Sequence, residues 1–330
     1  MKFVSLGRTG AQVSDLCLGT MTFGWKTDET EAFRVVDRFM EAGGNFIDTA
    51  NVYGRGKSEE ITGRALNRDG KRNRIFLATK AHGKMDDNDP NAWGNTRLNL
   101  IKACEDSLRR LGTDHIDLYQ IHRPQSSVPI DETLRALDDL IRSGKVRYIG
   151  TSTYAAWQVV ESLWAAKELG LNRFICEQPP YHILDRRIER ELIPVAKTYG
   201  LAVIPWSPLA GGKLTGKYRR GEPAPPNSRE DPAKFSEQTW RVLEGLEALC
   251  KEKGCTMTAF ANAWCAAQPG VTSPILGPNS VAQLEDNLAA SAVTITEEDR
   301  KRVDALVPPG TNVEGQNYYN ADFGATARWA

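Results

Sequence analysis

The 330-residue sequence predicts an eight-stranded (β/α) barrel. Short apolar strands and amphipathic helices alternate eight times along the chain, and no break in composition separates the repeats. A doubly wound parallel sheet is the competing fold. Such a sheet more often begins with a glycine-rich dinucleotide motif, and no G-x-G-x-x-G follows the first predicted strand. The predicted organisation is therefore one barrel domain over residues 1–330, with a C-terminal extension at residues 292–330 that is expected to lie over one face of the barrel.

The individual elements follow from runs of β-forming residues and from the helical spacing of apolar residues. Segments 3–6 and 12–16 alternate around a glycine-containing turn and predict a β-hairpin ahead of the barrel. Asp28 or Thr30 is expected to cap the first helix. The barrel strands are predicted at residues 16–19, 45–48, 75–79, 116–121, 146–149, 174–177, 202–205 and 273–276. The helices are predicted at residues 32–40, 58–66, 100–111, 134–141, 157–169, 188–199, 240–250, 258–267, 280–290 and 297–306.

Charge and composition exclude several classes of protein. The 42 Lys and Arg residues balance 42 Asp and Glu residues, so neither nucleic acid nor an acidic membrane is an expected partner. The six cysteines lack the spacing of a metal site and are expected to be reduced thiols. The N-terminus lacks a long apolar region and no stretch approaches the length of a membrane span, which predicts a cytoplasmic protein.

Polar side chains stand at or just past nearly every predicted strand, where active sites gather in parallel α/β folds. They are Asp48, Lys80, His122, Ser152, Gln178 and Ser207, and Tyr53 lies on the loop after Asp48. Taken one at a time, a turn-capping aspartate, a loop tyrosine, a snorkelling lysine and a packed histidine are ordinary features. Their joint occurrence at one end of a barrel favours a catalytic role.

These residue types fit one mechanism. A phenol is a weak acid at neutral pH, and a neighbouring ammonium makes it a better acid because it stabilises the phenolate. Tyr53 would protonate an oxyanion beside Lys80, and Asp48 would hold Lys80 charged and in place. His122 would orient a substrate carbonyl and help to pass the proton. No side chain donates hydride, so the scheme requires a nicotinamide.

A metal-dependent barrel hydrolase is a rival prediction. Such a site needs several histidines and carboxylates that converge on one ion. The chain has only 4 histidines, and His115 precedes its strand, so it is expected at the opposite end of the barrel. A metal site is therefore not predicted.

Ordered motifs carry a resemblance to a known family. They are Gly19-Thr20-Met21, Asn45-Phe46-Ile47-Asp48-Thr49-Ala50-Asn51-Val52-Tyr53-Gly54, Ala78-Thr79-Lys80, Tyr119-Gln120-Ile121-His122-Arg123-Pro124, Gly150-Thr151-Ser152, Glu177-Gln178-Pro179, Trp206-Ser207-Pro208-Leu209 and Leu214-Thr215-Gly216-Lys217-Tyr218. With these motifs the sequence resembles the aldo-keto reductases over residues 6–290, most closely their bacterial and potassium-channel β-subunit branches. The resemblance implies a (β/α)₈ barrel that reduces carbonyls with NADPH. It also implies Tyr53 as the general acid, with Asp48, Lys80 and His122 completing a catalytic tetrad.

The resemblance further implies where the cofactor binds. Thr20 and Met21 are expected beside the nicotinamide ribose, and Asp48 is expected to contact the cofactor as well. The carboxamide contacts are expected to be Ser152 and Gln178, with Trp206 stacked on the nicotinamide ring. The pyrophosphate contacts are expected to be Ser207, Leu209, Ala210, Gly211 and Lys217, with Arg229 closing over them. The adenosine contacts are expected to be Gly277, Asn279, Gln283, Asp286 and Asn287, where the helix that starts near Ser280 offers N–H groups to a phosphate.

Several positions depart from the family pattern. Thr153 follows Ser152 where Asn or Arg is common, and Gln125 replaces an Asp after the His-Arg-Pro segment. Relatives often read the 2′-phosphate with Arg or Lys at positions where this chain has Asn279 and Gln283. Gln occurs there in NADPH-binding relatives, so NADPH is favoured over NADH.

The expected substrate is a small-molecule carbonyl compound, and the residues of the loops favour a bulky ketone or a sugar-like carbonyl. The candidate substrate contacts, besides Tyr53 and His122, are Phe23, Trp25, His82, Trp93 and Arg123. For the aromatic members, packing within loops is the alternative. Tyr318, Tyr319 and Phe323 of the tail are candidates for a lid over the barrel mouth or for contacts in a homo-oligomer.

A cofactor-binding regulatory subunit with slow or vestigial reductase activity is the alternative function. Channel β-subunits are the relatives that work in this way, and they lack the histidine of the tetrad. His122 therefore favours an enzyme.

Overall fold

A computed structural model describes residues 1–226 and 228–313. An antiparallel hairpin of β1 (Phe3–Ser5) and β2 (Gln12–Ser14) comes first. A parallel sheet of eight strands follows, in which each strand after the first, except the last, pairs with the strand before it along the chain. Its strands are β3 (Cys17–Gly19), β4 (Phe46–Asp48), β5 (Phe76–Ala81), β6 (Ile116–Ile121), β7 (Val146–Ser152), β8 (Cys176–Gln178), β9 (Ala202–Val203) and β10 (Ile275–Leu276).

The sheet closes on itself. β10 pairs with β3 at one edge. At the other edge, the backbone N–H of Thr272 donates to the carbonyl of Val203 at 2.7 Å, and that of Ile275 donates to the carbonyl of Pro205 at 2.8 Å. Closure pairs the strand edges that an open sheet would expose. The predicted (β/α)₈ barrel and its N-terminal hairpin are confirmed.

Helices surround the barrel at the positions that the apolar spacing indicates. Asp28 caps the first of them, because its carboxylate accepts from the backbone N–H of Glu31 at 2.9 Å. The helices are α1 (Glu29–Glu41), α2 (Lys57–Leu66), α3 (Arg97–Leu111), α4 (Ile130–Arg142), α5 (Ala156–Leu169), α6 (Leu192–Tyr199), α7 (Glu237–Lys253), α8 (Met257–Ala266), α9 (Val281–Leu288) and α10 (Glu297–Leu306).

The hairpin fills one end of the barrel. Leu6 and Val13 belong to a buried cluster with Phe46, Leu118 and Cys176, which lie towards the starts of their strands. The amino-terminal end of the barrel is thereby packed with apolar side chains. The carboxyl ends of the strands, at the opposite end, are left to carry the polar residues.

Several boundaries differ from the prediction. β7 extends to Ser152, β9 ends at Val203, and β10 begins only at Ile275. The strand predicted at 174–177 is β8 (Cys176–Gln178), so Gln178 is its last residue and does not follow it. The helix predicted at 188–199 is a 3₁₀ turn (Arg187–Glu189) and then α6, because Pro194 lacks an N–H and is tolerated only in the first turn of a helix. The helix predicted to reach residue 290 ends at Leu288, where a 3₁₀ turn (Ala289–Ala292) begins.

The described part of the C-terminal extension returns to the loop after β8. The N–H of Arg186 donates to the carbonyl of Thr311 at 2.8 Å, and the N–H of Val313 donates to that of Leu184 at 2.9 Å. Tyr318, Tyr319 and Phe323, the candidate lid residues, lie outside the described residues. In residues 1–226 and 228–313, no helix combines the length and the apolar character that crossing a membrane requires.

Candidate active site

The ammonium of Lys80 is the centre of a buried polar cluster at the carboxyl end of the barrel. Lys80 lies near the end of β5, and its side chain is fully buried. Its Nζ donates to the carboxylate of Asp48, to the carbonyl of Thr49 at 2.8 Å and to the hydroxyl of Tyr53 at 3.3 Å. A buried ammonium is tolerated only when it is paired and hydrogen-bonded, and here its three donor positions are occupied.

Charge keeps Lys80 protonated in this environment. Burial acts to lower the pKa of Lys80, but the neighbouring Asp48 and then Tyr53 outweigh it, and the net pKa lies above the ordinary lysine value. Lys80 is therefore a cation at neutral pH, directly beside a phenol.

Two glutamines hold the second oxygen of Asp48. Oδ2 accepts from Nε2 of Gln120 and from Nε2 of Gln178, each at 3.0 Å, and Gln178 also donates to Oε1 of Gln120 at 3.1 Å. The carboxylate of Asp48 is thus held by Lys80 of β5, Gln120 of β6 and Gln178 of β8. Gln120 was not among the predicted site residues. It lies on β6 two residues before His122, which directly follows the strand, and alternation along a strand directs side chains at this spacing to the same face.

Two glycines fix the position of Tyr53. Tyr53 begins a 3₁₀ turn (Tyr53–Gly56) in which Gly54 has φ 56° and Gly56 has φ 96°, so both lie in the left-handed region that favours glycine. A Cβ on Gly56 would lie 2.6 Å from Cδ of Arg110, so a larger residue would have to displace the arginine side chain. The turn leads directly into α2.

A hydroxyl at the start of α2 ties this helix to the barrel. Oγ of Ser58 donates to the carbonyl of Thr20 at 2.7 Å and lies 3.0 Å from Oγ1 of Thr49. Thr20 is itself buried, and its Oγ1 donates to the carbonyl of Asp48 at 3.3 Å. The phenol is therefore carried on a segment that is anchored to β3 and to the end of β4.

The imidazole of His122 completes the cluster. Its ring centroid lies 5.6 Å from that of Tyr53, with the two rings at 82° to one another. Burial, followed by the charges of Lys80, Arg123 and His82, lowers the pKa of His122 well below its ordinary value. His122 is therefore neutral at physiological pH and can donate one hydrogen bond.

The depressed pKa of His122 predicts acid sensitivity. Below the ordinary histidine pKa of 6.5, the unfolded chain binds a proton at this position and the folded protein does not. The free energy of unfolding should therefore fall as the pH is lowered from about 6.5 towards about 5. His82, whose pKa burial also lowers, acts in the same direction.

The test is chemical denaturation of wild type and His122→Asn across this pH range. The variant should lose less stability on acidification, because the group that must remain unprotonated has been removed. If the free energy of unfolding changed equally with pH in the two proteins, His122 would titrate normally in the folded state.

The predicted carboxamide contacts lie next to this cluster, and both already have protein partners. Oγ of Ser152 donates to the carbonyl of Gln178 at 2.9 Å, and Nε2 of Gln178 is engaged by Asp48 and Gln120. The guanidinium of Arg123 lies 5.8 Å from the ring centre of Trp206, and Nη1 donates to Oγ1 of Thr153 at 2.7 Å. The loop after β6 is thereby linked to the loops after β7 and β9.

The predicted pyrophosphate segment has an unusual backbone. Ser207 and Ala210 have φ of 60° and 51°, which costs a non-glycine residue free energy. Gly211 and Gly212 follow with φ of 68° and 104°. The turn is held by its own hydrogen bonds, because the N–H of Ala210 donates to the carbonyl of Ser207 at 2.8 Å and the N–H of Gly211 donates to Oγ of Ser207 at 3.1 Å. Leu209 precedes this bend and Lys217 follows it, with Nζ packed against Gly212.

The long loop after β9 also reaches the loop after β3. The guanidinium of Arg229 lies 5.9 Å from the ring centre of Trp25. Met21, on the same loop as Trp25, is 39 % exposed.

The predicted adenosine contacts cluster at α9. The N–H of Asn279 donates to Oε1 of Gln283 at 2.8 Å, and Gly277 is exposed just before it. Asp286 accepts from Oγ1 of Thr256 at 2.6 Å, and Oδ1 of Asn287 accepts from Nδ2 of Asn262 at 2.8 Å. Asp286 and Asn287 therefore also join α9 to α8.

The predicted substrate contacts divide into three groups. Trp25 and Trp93 are 65 % and 44 % exposed, and the ring of Trp93 meets that of His82 edge-on at 6.1 Å. Arg123 is partly buried next to His122. Phe23, by contrast, is fully buried in the hydrophobic core. Its loop folds back so that its N–H donates to the carbonyl of Thr20, and the ring offers no surface to a substrate.

The rival metal site has no geometric counterpart in the part of the chain that the structure describes. Within it, no three His, Cys, Asp or Glu side chains come together in a way that could hold a metal ion.

Comparison with known proteins identifies the family of this chain. The sequence profile of the Aldo/keto reductase family matches residues 15–308. The chain is 40 % identical over 319 residues to "Uncharacterized oxidoreductase YrpG" of Bacillus subtilis (strain 168), which covers 94 % of this chain and 97 % of the relative. It is also 36 % identical over 320 residues to "Probable voltage-gated potassium channel subunit beta" of Oryza sativa subsp. japonica. This alignment covers 93 % of this chain and 97 % of the relative.

A fungal relative is named for its reaction. The chain is 33 % identical over 327 residues to "Versiconal hemiacetal acetate reductase" of Aspergillus parasiticus, which covers 91 % of this chain and 95 % of the relative. Oxidoreductases thus stand among the relatives that align over almost the full length. With the closed barrel and the family match over residues 15–308, the chain belongs to the aldo/keto reductase family.

Proposed function

We propose that this protein reduces an aldehyde or ketone to an alcohol with NADPH and that Tyr53 donates the proton. The observation that carries the proposal is the fully buried ammonium of Lys80, which is paired with Asp48 and lies 3.3 Å from the hydroxyl of Tyr53. When bound, NADPH supplies the hydride for the carbonyl carbon. The protein supplies the acid and the geometry.

Each member of the tetrad has one task in this mechanism. The hydroxyl of Tyr53 donates its proton to the oxygen of the substrate, and the ammonium of Lys80 stabilises the phenolate that remains. Asp48 keeps Lys80 charged and in place. The neutral imidazole of His122 donates a hydrogen bond to the same oxygen and so orients the carbonyl.

The residues along the predicted groove suit a dinucleotide. Lys217, whose Nζ lies beside Gly212 in the left-handed turn after β9, offers a positive charge to the pyrophosphate. At the far end, Oδ1 of Asn279 is buried without a hydrogen-bond partner among the described residues, and a bound nucleotide could supply a donor. Trp206 offers an indole for stacking. NADPH is proposed in preference to NADH, with Asn279 and Gln283 near the 2′-phosphate.

The proposed substrate is a bulky ketone or a sugar-like carbonyl. The exposed indoles of Trp25 and Trp93 supply broad apolar surfaces, and His82 and Arg123 supply polar groups beside them. A large, partly polar molecule could contact the apolar indole surfaces and hydrogen-bond to the polar groups at the same time.

The regulatory-subunit alternative is not favoured. A plant potassium channel β-subunit is among the relatives, so the fold itself suits both roles. The neutral, partly buried His122 against Tyr53 completes a proton-donating cluster, which a purely cofactor-binding subunit does not require.

The proposal predicts carbonyl-dependent oxidation of NADPH. Purified protein should oxidise NADPH when given members of a panel of aldehydes, bulky ketones and sugars, and it should leave NADPH unchanged without a carbonyl compound. The measurement is the loss of NADPH absorbance, with NADH run in parallel. Tight binding of NADPH with no turnover across the whole panel would favour the regulatory alternative.

A further inference from the structure

A second carboxyl group lies buried beside the proposed nicotinamide pocket, and the tetrad does not use it. Glu177 is the middle residue of β8, and its side chain is fully buried. Oε2 hydrogen-bonds to Oγ1 of Thr151 at 2.5 Å, and Oε1 accepts from the N–H of Tyr154 at 3.1 Å. Burying a carboxyl group costs free energy unless the group is hydrogen-bonded or paired, and here the two hydrogen bonds offset that cost.

The segment that Glu177 holds is strained and carries several contacts. Between Thr151 and Tyr154 stand Ser152 and Thr153, and Thr153 has φ 61°, an unfavourable value for a β-branched residue. The N–H of Thr153 and Oγ of Ser152 both donate to the carbonyl of Gln178, at 3.1 and 2.9 Å. The hydrogen bonds from both ends of the segment to Glu177 help to maintain this conformation.

The strained residue in turn positions the arginine over Trp206. Oγ1 of Thr153 accepts from Nη1 of Arg123 at 2.7 Å, and the guanidinium of Arg123 lies 5.8 Å from the ring centre of Trp206. Glu177 therefore connects through Thr153 and Arg123 to the indole that is proposed to stack on the nicotinamide. It also connects through Ser152 to the proposed carboxamide contacts.

We propose that Glu177 is a positioning residue that keeps residues 151–154, and through them Arg123 and Trp206, in the conformation that binds the nicotinamide, and that it does so as a neutral carboxylic acid. The inference rests on the proposed function, because it assigns the pocket to the nicotinamide. Glu177 forms no ion pair with a described residue, which agrees with a neutral group. Its acid proton lies on Oε2 and is shared with Oγ1 of Thr151, 2.5 Å away, and that hydroxyl can in turn donate to the carbonyl of Cys176 at 3.4 Å.

The surroundings of Glu177 agree with this protonation state. Burial raises the pKa of Glu177 to about 8, although the hydrogen bonds from Thr151 and Tyr154 and the charge of Arg123 act to lower it. Burial also raises the pKa of Tyr154 and of Cys176, and Glu177 adds to both shifts, so these neighbours stay neutral near pH 8. Among the groups that face Glu177, Arg123 is the one that is always positively charged. Once ionised, Glu177 attracts Arg123 away from Thr153 and Trp206.

The inference gives a pH dependence with a defined sign. The folded protein keeps the proton of Glu177 up to about pH 8, whereas the unfolded chain loses it near the ordinary value of 4.5. Affinity for NADPH should therefore be constant below this pKa and fall as the pH rises through it. In the protein without cofactor, the free energy of unfolding should also decline as the pH rises towards 8.

The experiment compares wild type with Glu177→Gln and Glu177→Ala. Glutamine keeps the size and an oxygen acceptor for the N–H of Tyr154 but cannot ionise, whereas alanine removes every hydrogen bond. NADPH binding is measured by the change in its fluorescence from about pH 6 to about pH 9. Glu161→Gln, on the exposed face of α5, is the matched control and should follow the wild-type curve.

The expected results separate positioning from general damage. At neutral pH, Glu177→Ala should bind NADPH about tenfold more weakly, and Glu177→Gln should stay within about twofold of wild type. Above pH 8 the Kd of wild type should rise while that of Glu177→Gln stays constant. The stability of the cofactor-free Gln variant should likewise lose the decline with pH that wild type shows.

Two results would overturn the inference. One is an identical pH dependence of the NADPH Kd in wild type and Glu177→Gln, and this test does not require the alanine variant to fold. The other is an unchanged Kd in a folded Glu177→Ala protein. A wild-type protein that binds no NADPH at any pH would instead contradict the proposed function.

Discussion

Tyr53→Phe is expected to lower kcat by about 10²- to 10⁴-fold, because the substitution removes the proposed general acid. The ring packs edge-on against His122 and does not depend on the hydroxyl for its position. NADPH binding and thermal stability should therefore remain close to wild type. The measurement is steady-state turnover of the best carbonyl substrate, with NADPH binding measured separately.

A matched substitution controls for the loss of any phenol. Tyr199→Phe, at the end of α6 and far from the cluster in sequence, removes the same atom and should leave kcat unchanged. If Tyr53→Phe turned over as fast as Tyr199→Phe, another group would have to donate the proton, and the proposed role of the tetrad would be wrong.

Lys80→Met is expected to reduce both activity and stability. Turnover should be nearly abolished, because the phenolate of Tyr53 would form beside an apolar side chain. The variant also leaves the buried carboxylate of Asp48 without its cation, which should lower the free energy of unfolding by about 3–5 kcal/mol. The measurements are turnover and chemical denaturation at neutral pH.

A double variant separates these two effects. Asp48→Asn combined with Lys80→Met removes both charges, and the asparagine oxygen can still accept from Gln120 and Gln178. The double variant should regain a large part of the unfolding free energy that Lys80→Met loses, whereas its turnover should stay as low as that of Lys80→Met. A double variant as unstable as Lys80→Met alone would show that the lost charge pair is not the cause.

The barrel was predictable because each unit of β-forming residues and helical spacing could be read from the local sequence. The absence of a glycine-rich dinucleotide motif after the first strand then favoured the barrel over a doubly wound sheet. Boundaries were less accurate where tertiary contacts decide them. The strand predicted at residues 174–177 begins at Cys176, because pairing with β7 starts at Gly150 and Cys176. Pro194 likewise explains why α6 begins only at Leu192.

The proximity of the four proposed tetrad residues could be predicted because they end strands or begin the loops after them. Asp48 ends β4, and Lys80 lies near the end of β5, which is its neighbour in the sheet. The partners of these residues were harder to predict. Gln120 binds Asp48 across an intervening strand, a contact that depends on the register of three strands and on the curvature of the barrel. The sequence indicates Glu177 only as part of the Glu177-Gln178-Pro179 motif, since its burial cannot be read from the residues beside it.

Loops gave the least accurate predictions. An aromatic residue near a strand end can face the barrel mouth or the core, and the sequence pattern does not distinguish the two. Phe23 is buried in the core, whereas Trp25, two residues later, is exposed. The difference arises from a turn in which the N–H of Phe23 bonds to Thr20, and such a turn leaves no periodic signal in the sequence.

Transfer of a labelled hydride tests the central claim most directly. The protein is given NADPH that carries deuterium at C4 of the nicotinamide, together with its best carbonyl substrate, and the alcohol is analysed by mass spectrometry and NMR. The account predicts a single deuterium on the carbinol carbon of the product, formed by wild type and almost absent with Tyr53→Phe. Alcohol that contains no deuterium from either C4 position, or equal labelled product from both proteins, would contradict it.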